Sequence, residues 1–421
     1  MTFSRRQFLG GTIAAAAFSD QTLSQVEKLA VKGDSGGPDD EVFWARVREL
    51  FDIDPNLTVF NHAGLSPSPK RSREIIAEQT RRANCDPSLI IWRRQDNELG
   101  EIRKRLVELV GCEPDELALT MNATYGLQTA IMGVPMAAGD EIVATTHEYT
   151  RGLTAIDQRK RRDGIKPVIV DLGPHLGSGR DIANAVIAKI SDRTRLIVLS
   201  QITFLTGAIM PVKEVAAAAE ARGIPVLMDG AHGIGIMPEK FAETGAAIYT
   251  ACLHKWIMGP IGTGVFVVKR PWIKKIWPMQ PADEPLDASM HKFEQVGTRP
   301  AAPFLAVKES LDLHDMLGRE RKSARLEFLR KRLAERVMNA PGVIKYSSLD
   351  PARDRNVLAV GFDKTAAIPL AGWLLSEHKI HVTTVVRAGM NAIRISPNIF
   401  TTDAEVDRLG AILSKVAREG I

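Results

Sequence analysis

The chain has 421 residues, 45% of them hydrophobic and 25% charged, which is ordinary for a globular protein and enough for two domains with a large core. Its formal net charge of +5 is mild for this size, and basic residues are mixed with acids, as in Arg93-Arg-Gln-Asp-Asn-Glu98, so nothing points to a nucleic-acid partner. Three cysteines, none at metal-ligand spacing, exclude a disulfide framework and suggest no metal site, and without a run of 18 apolar residues stable membrane insertion is not expected.

At the N-terminus, Ser4-Arg-Arg-Gln-Phe-Leu9 precedes the short, mildly apolar Gly10–Phe18. Paired arginines before such a stretch look like a twin-arginine signal; the alternative is a frayed basic terminus. The signal implies the twin-arginine export machinery as a partner, a periplasmic location and export of an already folded protein. Residues 1–38 are then leader and Gly/Ser/Asp-rich linker, outside the fold.

An amphipathic helix is expected from Asp40 to about Phe51, followed by an extended run, Leu57–Phe60, and a turn-rich loop, Asn61–Pro67. Helices follow at Lys70–Ala83 and Gln95–Val110. Strand-like apolar runs then occur at Glu116–Thr120, Glu141–Thr145, Pro167–Asp171, Leu196–Ser200, Pro225–Asp229, Ala247–Ala251 and Gly264–Val268, with helical patterns such as Asp181–Ile190 and Val212–Ala221 between them. This alternation predicts an α/β fold: a mostly parallel seven-stranded sheet with helices on both faces and a ligand at the C-terminal strand ends. After Pro300 the pattern changes to a long helix over 305–337 kinked near Gly318, strands at Val343–Ser347, Val357–Phe362, His381–Val385 and Ala392–Ser396, a helix over Ile368–Glu377 and a terminal helix from Asp403. The chain therefore divides into a large domain, 39–300, and a smaller C-terminal α+β domain, 301–421.

The candidate chemistry sits at the ends of these runs. Asp229-Gly-Ala-His232 follows Ile224–Met228, and His254-Lys255-Trp256 follows Ala246–Ala251. A lone Asp at a strand end is ordinarily a cap or turn residue, and a lone Lys a solvated charge. Facing each other across one sheet rim, the two make the pair that pyridoxal phosphate requires: a lysine for the Schiff base and a carboxylate that keeps the pyridine nitrogen protonated. Asn122-Ala-Thr-Tyr-Gly126 follows a strand and opens a helix. The N–H groups at that helix start, with the Thr124 hydroxyl, suit a phosphate; an ordinary N-cap at Asn122 is the alternative.

In combination these motifs resemble the class V aminotransferase group of fold-type I pyridoxal-phosphate enzymes, which includes cysteine desulfurases and isopenicillin N epimerase-like proteins. The resemblance runs from about Phe60 to the C-terminus. It implies pyridoxal 5'-phosphate as cofactor and Lys255 as the catalytic lysine. It also implies Ala123 and Thr124 at the phosphate, Tyr149 stacked on the ring, Asp229 at the ring nitrogen, Ala231 beneath the ring, His232 beside it and His254 at the phosphate. Gly297-Thr298 matches the pair that reaches the phosphate of a neighbouring subunit, which implies a homodimer with shared sites. Arg394 matches the arginine that holds the substrate carboxylate, and Asn61 and His62 match the loop lining the substrate mouth.

Departures narrow the expected chemistry. Tyr149 replaces the desulfurase histidine, removing a proton carrier of pKa near 6.5. Phe204 and Met210 stand where desulfurases place an Asn and a Gln, and Val386-Arg-Ala-Gly-Met-Asn391 lacks the desulfurase cysteine. The expected activity is action on the amino group of an amino acid or peptide. Transamination, epimerisation and elimination all remain open, and export favours tailoring of a secreted peptide such as a siderophore. The alternatives are a carbon–sulfur lyase or epimerase, and a non-catalytic binding protein on the same scaffold.

Overall fold

The computed structural model describes residues 36–421. The twin-arginine motif and nearly all of the leader and linker lie outside the described residues. Short β1 (Thr58–Val59) precedes a large sheet made of β2 (Leu117–Thr120), β3 (Glu141–Thr145), β4 (Lys166–Val170), β5 (Thr194–Ser200), β6 (Val226–Asp229), β7 (Ile248–Cys252) and β8 (Gly264–Val268). The seven strands lie in the order β2-β8-β7-β6-β5-β3-β4. All neighbours are parallel except those of β8, which runs antiparallel to β2 and β7. The link from β7 to β8 contains no helix, so the chain turns straight back rather than crossing over.

The fold follows from side-chain alternation on strands that are apolar on both faces. Ile142, Ala144, Leu196 and Val198 pack with Leu127, Ala130 and Ile131 of the helix Ala123–Gly133 and with Ile156 of the helix Thr150–Asp163. Val143, Ile197 and Leu199 point the other way, onto Ile182 and Val186 of Gly179–Ile187 and Val215 and Ala219 of Val212–Glu220. The strands therefore lie between two helical layers, as their near-continuous hydrophobicity requires.

The C-terminal part holds β9 (Val343–Lys345), β10 (Leu358–Phe362), β11 (Ile380–His381), β12 (Thr383–Arg387) and β13 (Met390–Ile395). Four of these form an antiparallel sheet, β12-β13-β10-β9. Leu329 and Leu333, Leu370 and Leu374, and Leu409 and Leu413, from three helices, cover one face of it. The single kinked helix expected over 305–337 is two helices, Val307–Leu317 and Arg319–Val337. Gly318 at φ 74°, ψ 149°, a conformation open to glycine, ends the first helix, its N–H still donating to the His314 carbonyl at 2.9 Å, and starts the second. Upstream of the helix expected from Gln95, a π-helical turn, Ile90–Gln95, carries the exposed Trp92.

The N-terminal segment is fastened to the C-terminal part. β1 pairs in parallel with β11, and Asn61 bridges to Ser396. Arg325, with its side chain fully buried, donates to the carbonyls of Pro38 and Thr401 at 2.8 and 2.9 Å and pairs with Glu41 and with Asp403 at 3.2 Å. This brings the Asn61–Pro67 loop to the C-terminal edge of the large sheet.

Candidate active site

The register of the parallel strands puts Ser200, Asp229 and Thr250 at one level, so the chain leaves β5, β6 and β7 side by side. Asp229 is buried, and its Oδ1 accepts from the N–H of Ala231 at 2.9 Å. Burial raises its pKa, and the Ala231 N–H and the charge of Lys255 pull the other way. Lys255 lies on the loop after β7, partly open to solvent, but crowded enough that desolvation lowers its pKa against the opposing influence of Cys252 and Asp229. Its Nζ stands 3.2 Å from Nε2 of His232. The buried His232 is held neutral by desolvation first and by Lys255 and Arg394 second.

The lysine loop is pinned from behind. The N–H of Gly259 donates to the carbonyl of Leu253 at 2.7 Å, and Met258 adopts φ 58°. The carbonyl of Met258 accepts from Ser310 at 2.8 Å, and that of Trp256 from the buried amine of Lys322 at 2.7 Å. The carbonyl of His254 accepts the N–H of Ser66 at 2.9 Å, tying this loop to the N-terminal one. Desolvation brings the pKa of His254 down to about 4.

Across the rim, the helix Ala123–Gly133 begins after β2. Asn122 caps it, its Oδ1 accepting from the Tyr125 N–H at 3.0 Å. The capping reading of Asn122 and the placing of Ala123 and Thr124 at a helix start thus hold together. The Ala123 N–H donates to Sγ of the buried Cys252 at 3.3 Å. Tyr149 is 37% exposed and meets Phe204 edge-on, ring centroids 5.6 Å apart. Glu148 beside it was given no role by sequence reasoning. It is buried, accepts from Thr145 Oγ1 at 2.7 Å and from the Ser200 N–H and hydroxyl at 2.7 and 2.6 Å, and burial pushes its pKa up to about 7. Only the pairing of β3 with β5 reveals this tie.

Arg394, on β13, is buried and has no carboxylate partner among the described residues. It donates to the Phe204 carbonyl at 3.0 Å and to Oδ1 of Asn61 at 2.8 Å, and desolvation lowers its pKa to about 10. A structural ion pair therefore does not account for it. His62 packs edge-on against Phe400 at 4.9 Å. Thr298 stands apart: it is exposed, in a groove of about 280 Å³ lined by Ile91, Trp92 and Arg103 rather than by the Lys255 cluster. Among the described residues no group of three or more His, Cys, Asp or Glu could hold a metal ion, and no helix is long and apolar enough to cross a membrane.

A lysine with a depressed pKa, a carboxylate on the neighbouring strand end, a helix start across the rim and a guanidinium without an acid define a fold-type I pyridoxal-phosphate enzyme. The chain belongs to the class-V aminotransferase family, whose model matches residues 93–409. It is 27% identical to isopenicillin N epimerase of Streptomyces clavuligerus over 89% of this chain and 99% of that protein. It is 24% identical to a probable cysteine desulfurase of Methanothermobacter thermautotrophicus over 85% and 94%. Among solved structures it is similar to the cystine C–S lyase C-DES in complex with cysteine persulfide (TM-score 0.76, 22% identity, 86% of this chain and 98% of that one). It is also similar to the cysteine desulfurase CsdA of Escherichia coli (TM-score 0.75, 18% identity, 89% and 98%).

Class V aminotransferases use pyridoxal 5'-phosphate, and the residues present suit it. His232 Nδ1, His254 Nδ1 and Arg394 Nε are buried without a partner among the described residues, which leaves hydrogen-bonding capacity for a bound polar group. Asp229, His232 and Lys255 would hold the ring end, and Thr124 at the helix start, with His254, the phosphate, while the Ala123 N–H stays on Cys252.

The buried histidines give the protein a pH signature. Desolvation holds His62 at about 4 in the folded state, against 6.5 in an open chain. A depressed folded pKa contributes stability that is fully present above pH 6.5 and is lost as pH falls through 4. In urea titrations of the cofactor-free protein, His62→Gln should make the loss of stability between pH 6.5 and 4 shallower by up to about 1.4 kcal/mol per pH unit. An unchanged slope would show that His62 titrates normally.

Proposed function

We propose that this protein acts on the amino group of an amino acid or short peptide whose carboxylate is held by Arg394, with Lys255 moving the proton of the carbon that bears that amine. The observation that carries this reading is Arg394: a buried guanidinium that, among the described residues, is hydrogen-bonded only to neutral oxygens and has no partner for its Nε, beside the lysine and its carboxylate. Such a group is paired when an acid enters, and a planar carboxylate fits its fork. Pyridoxal phosphate bound here supplies the electron sink that makes that carbon acidic. Lys255 would hold the cofactor and, with burial lowering its pKa, accept the proton; His232 at 3.2 Å fixes the amine's direction. Asp229 would supply the negative charge at the ring nitrogen.

Aminotransfer or tailoring of a peptide is the leading outcome. Epimerisation is the second reading, favoured by the likeness to isopenicillin N epimerase over nearly its whole length. The turn between β12 and β13, at Ala388-Gly389, carries no cysteine. A persulfide route there is disfavoured, whereas carbon–sulfur elimination needs no such residue. Gly297-Thr298 reaching a second subunit would complete the phosphate site in a homodimer, and export by the twin-arginine route would place the folded, loaded enzyme in the periplasm.

Arg394→Ala should keep the cofactor and its visible absorbance while kcat/KM falls about 30-fold or more, read as exchange of the substrate α-proton for deuterium by NMR. Unchanged exchange would reduce Arg394 to a scaffold role. For location, Arg5→Lys with Arg6→Lys should leave active protein in the cytoplasm, because the receptor reads the arginine pair. Periplasmic activity equal to wild type would remove the twin-arginine reading.

A further inference from the structure

Arg394 has a companion on the same face of the small sheet. β12 and β13 pair with Thr383 opposite Arg394, Val385 opposite Ala392 and Arg387 opposite Met390. Directly paired residues share a face, and so do alternate residues along a strand, so Arg394 and Arg387 both point to one side. That side is the one where Val385, Met390 and Ala392 pack with Leu205 and Phe204. Phe204 lies between the two guanidiniums: its carbonyl accepts from Arg394 at 3.0 Å, and the Arg387 guanidinium stands 5.6 Å from its ring centroid. Tyr149 abuts the same ring.

Among the described residues, Arg387 also forms no ion pair. It donates to Thr150 Oγ1 at 2.7 Å and to the carbonyl of Thr146 at 3.0 Å, both neutral, on the segment that carries Glu148 and Tyr149. The carboxylate whose charge acts on it, Glu148, is occupied by Thr145 and Ser200 and has its pKa raised by burial. Arg387 is half-buried, so it has lost part of its hydration while its face remains reachable. An interior-facing arginine that pairs only with neutral oxygens is the same signature that marks Arg394.

We propose that Arg387 is a second anion anchor of the same site, which selects substrates carrying a second acidic group distant from the carboxylate on Arg394. The two arginines are offset by four residues along the paired strands, about 13 Å along the strand direction at the usual rise. That spacing suits an amino acid with an ω-acid, or a short acidic peptide, rather than two acids on neighbouring carbons. The assignment rests on Arg394 holding the first carboxylate.

Binding of unreactive acids to the holoenzyme tests it by calorimetry, independently of the reaction. Adipate should bind about tenfold or more tighter than hexanoate, since a charge-assisted contact to a partly desolvated arginine is worth at least that. Arg387→Met should erase this advantage, and Arg387→Lys should keep part of it. No adipate advantage in the wild type, or an advantage that survives Arg387→Met, overturns the proposal. So does equal weakening of both ligands in Arg387→Met, which would make Arg387 a tie between the sheets. Hexanoate binding that is indifferent to Arg394→Ala would instead sink the reading of Arg394 itself.

Discussion

Taking an amine out of water disfavours its protonated form, and the loop after β7 does this to Lys255. Asp229 and Cys252 oppose the effect and Arg394 adds to it, yet desolvation is the largest influence. The same crowding holds His232 and His254 neutral and raises Asp229 and Glu148. The site is thus an enclosure in which charge is expensive and hydrogen-bonding capacity is left over. A phosphate, a pyridine nitrogen and a carboxylate would use what the chain itself leaves unpaired.

The scaffold serves that enclosure. Parallel strands between two helical layers end together, so residues distant in sequence leave the sheet at one rim. The antiparallel return of β8 holds the lysine loop beside the helix start at Ala123. Lys322, whose own pKa burial lowers to about 7, spends its amine on the Trp256 carbonyl and fixes the backbone next to Lys255. Arg394 reaches the rim from the other sheet because β13 is central in it and the Phe204 carbonyl meets it.

Much of this is legible in the sequence because hydrophobic runs on doubly buried strands are continuous and short. All seven large-sheet strands lie where those runs do, and the helix Lys70–Ala83 matches its expected bounds. Asp229, Lys255 and the Asn122 cap were found because each stands just past such a run. Tertiary pairings were not legible. Glu148 needs Ser200 from another strand, Cys252 needs the Ala123 N–H, and Lys322 needs a carbonyl 66 residues away. The π-helical turn before Asp96 escapes a 3.6-residue period. The sequence reads as one long helix there because apolar residues continue on both sides of Gly318, and only the backbone angle reveals the break.

The central claim is that Lys255 is the amine that holds the cofactor and moves the proton, its pKa lowered by burial. Borohydride reduction of the holoenzyme, followed by proteolysis and mass spectrometry, reads this directly. The account predicts the reduced pyridoxyl group on the peptide containing Lys255 and its loss, with the visible absorbance, in Lys255→Ala. A pyridoxyl group on any other lysine of the wild-type protein would contradict it.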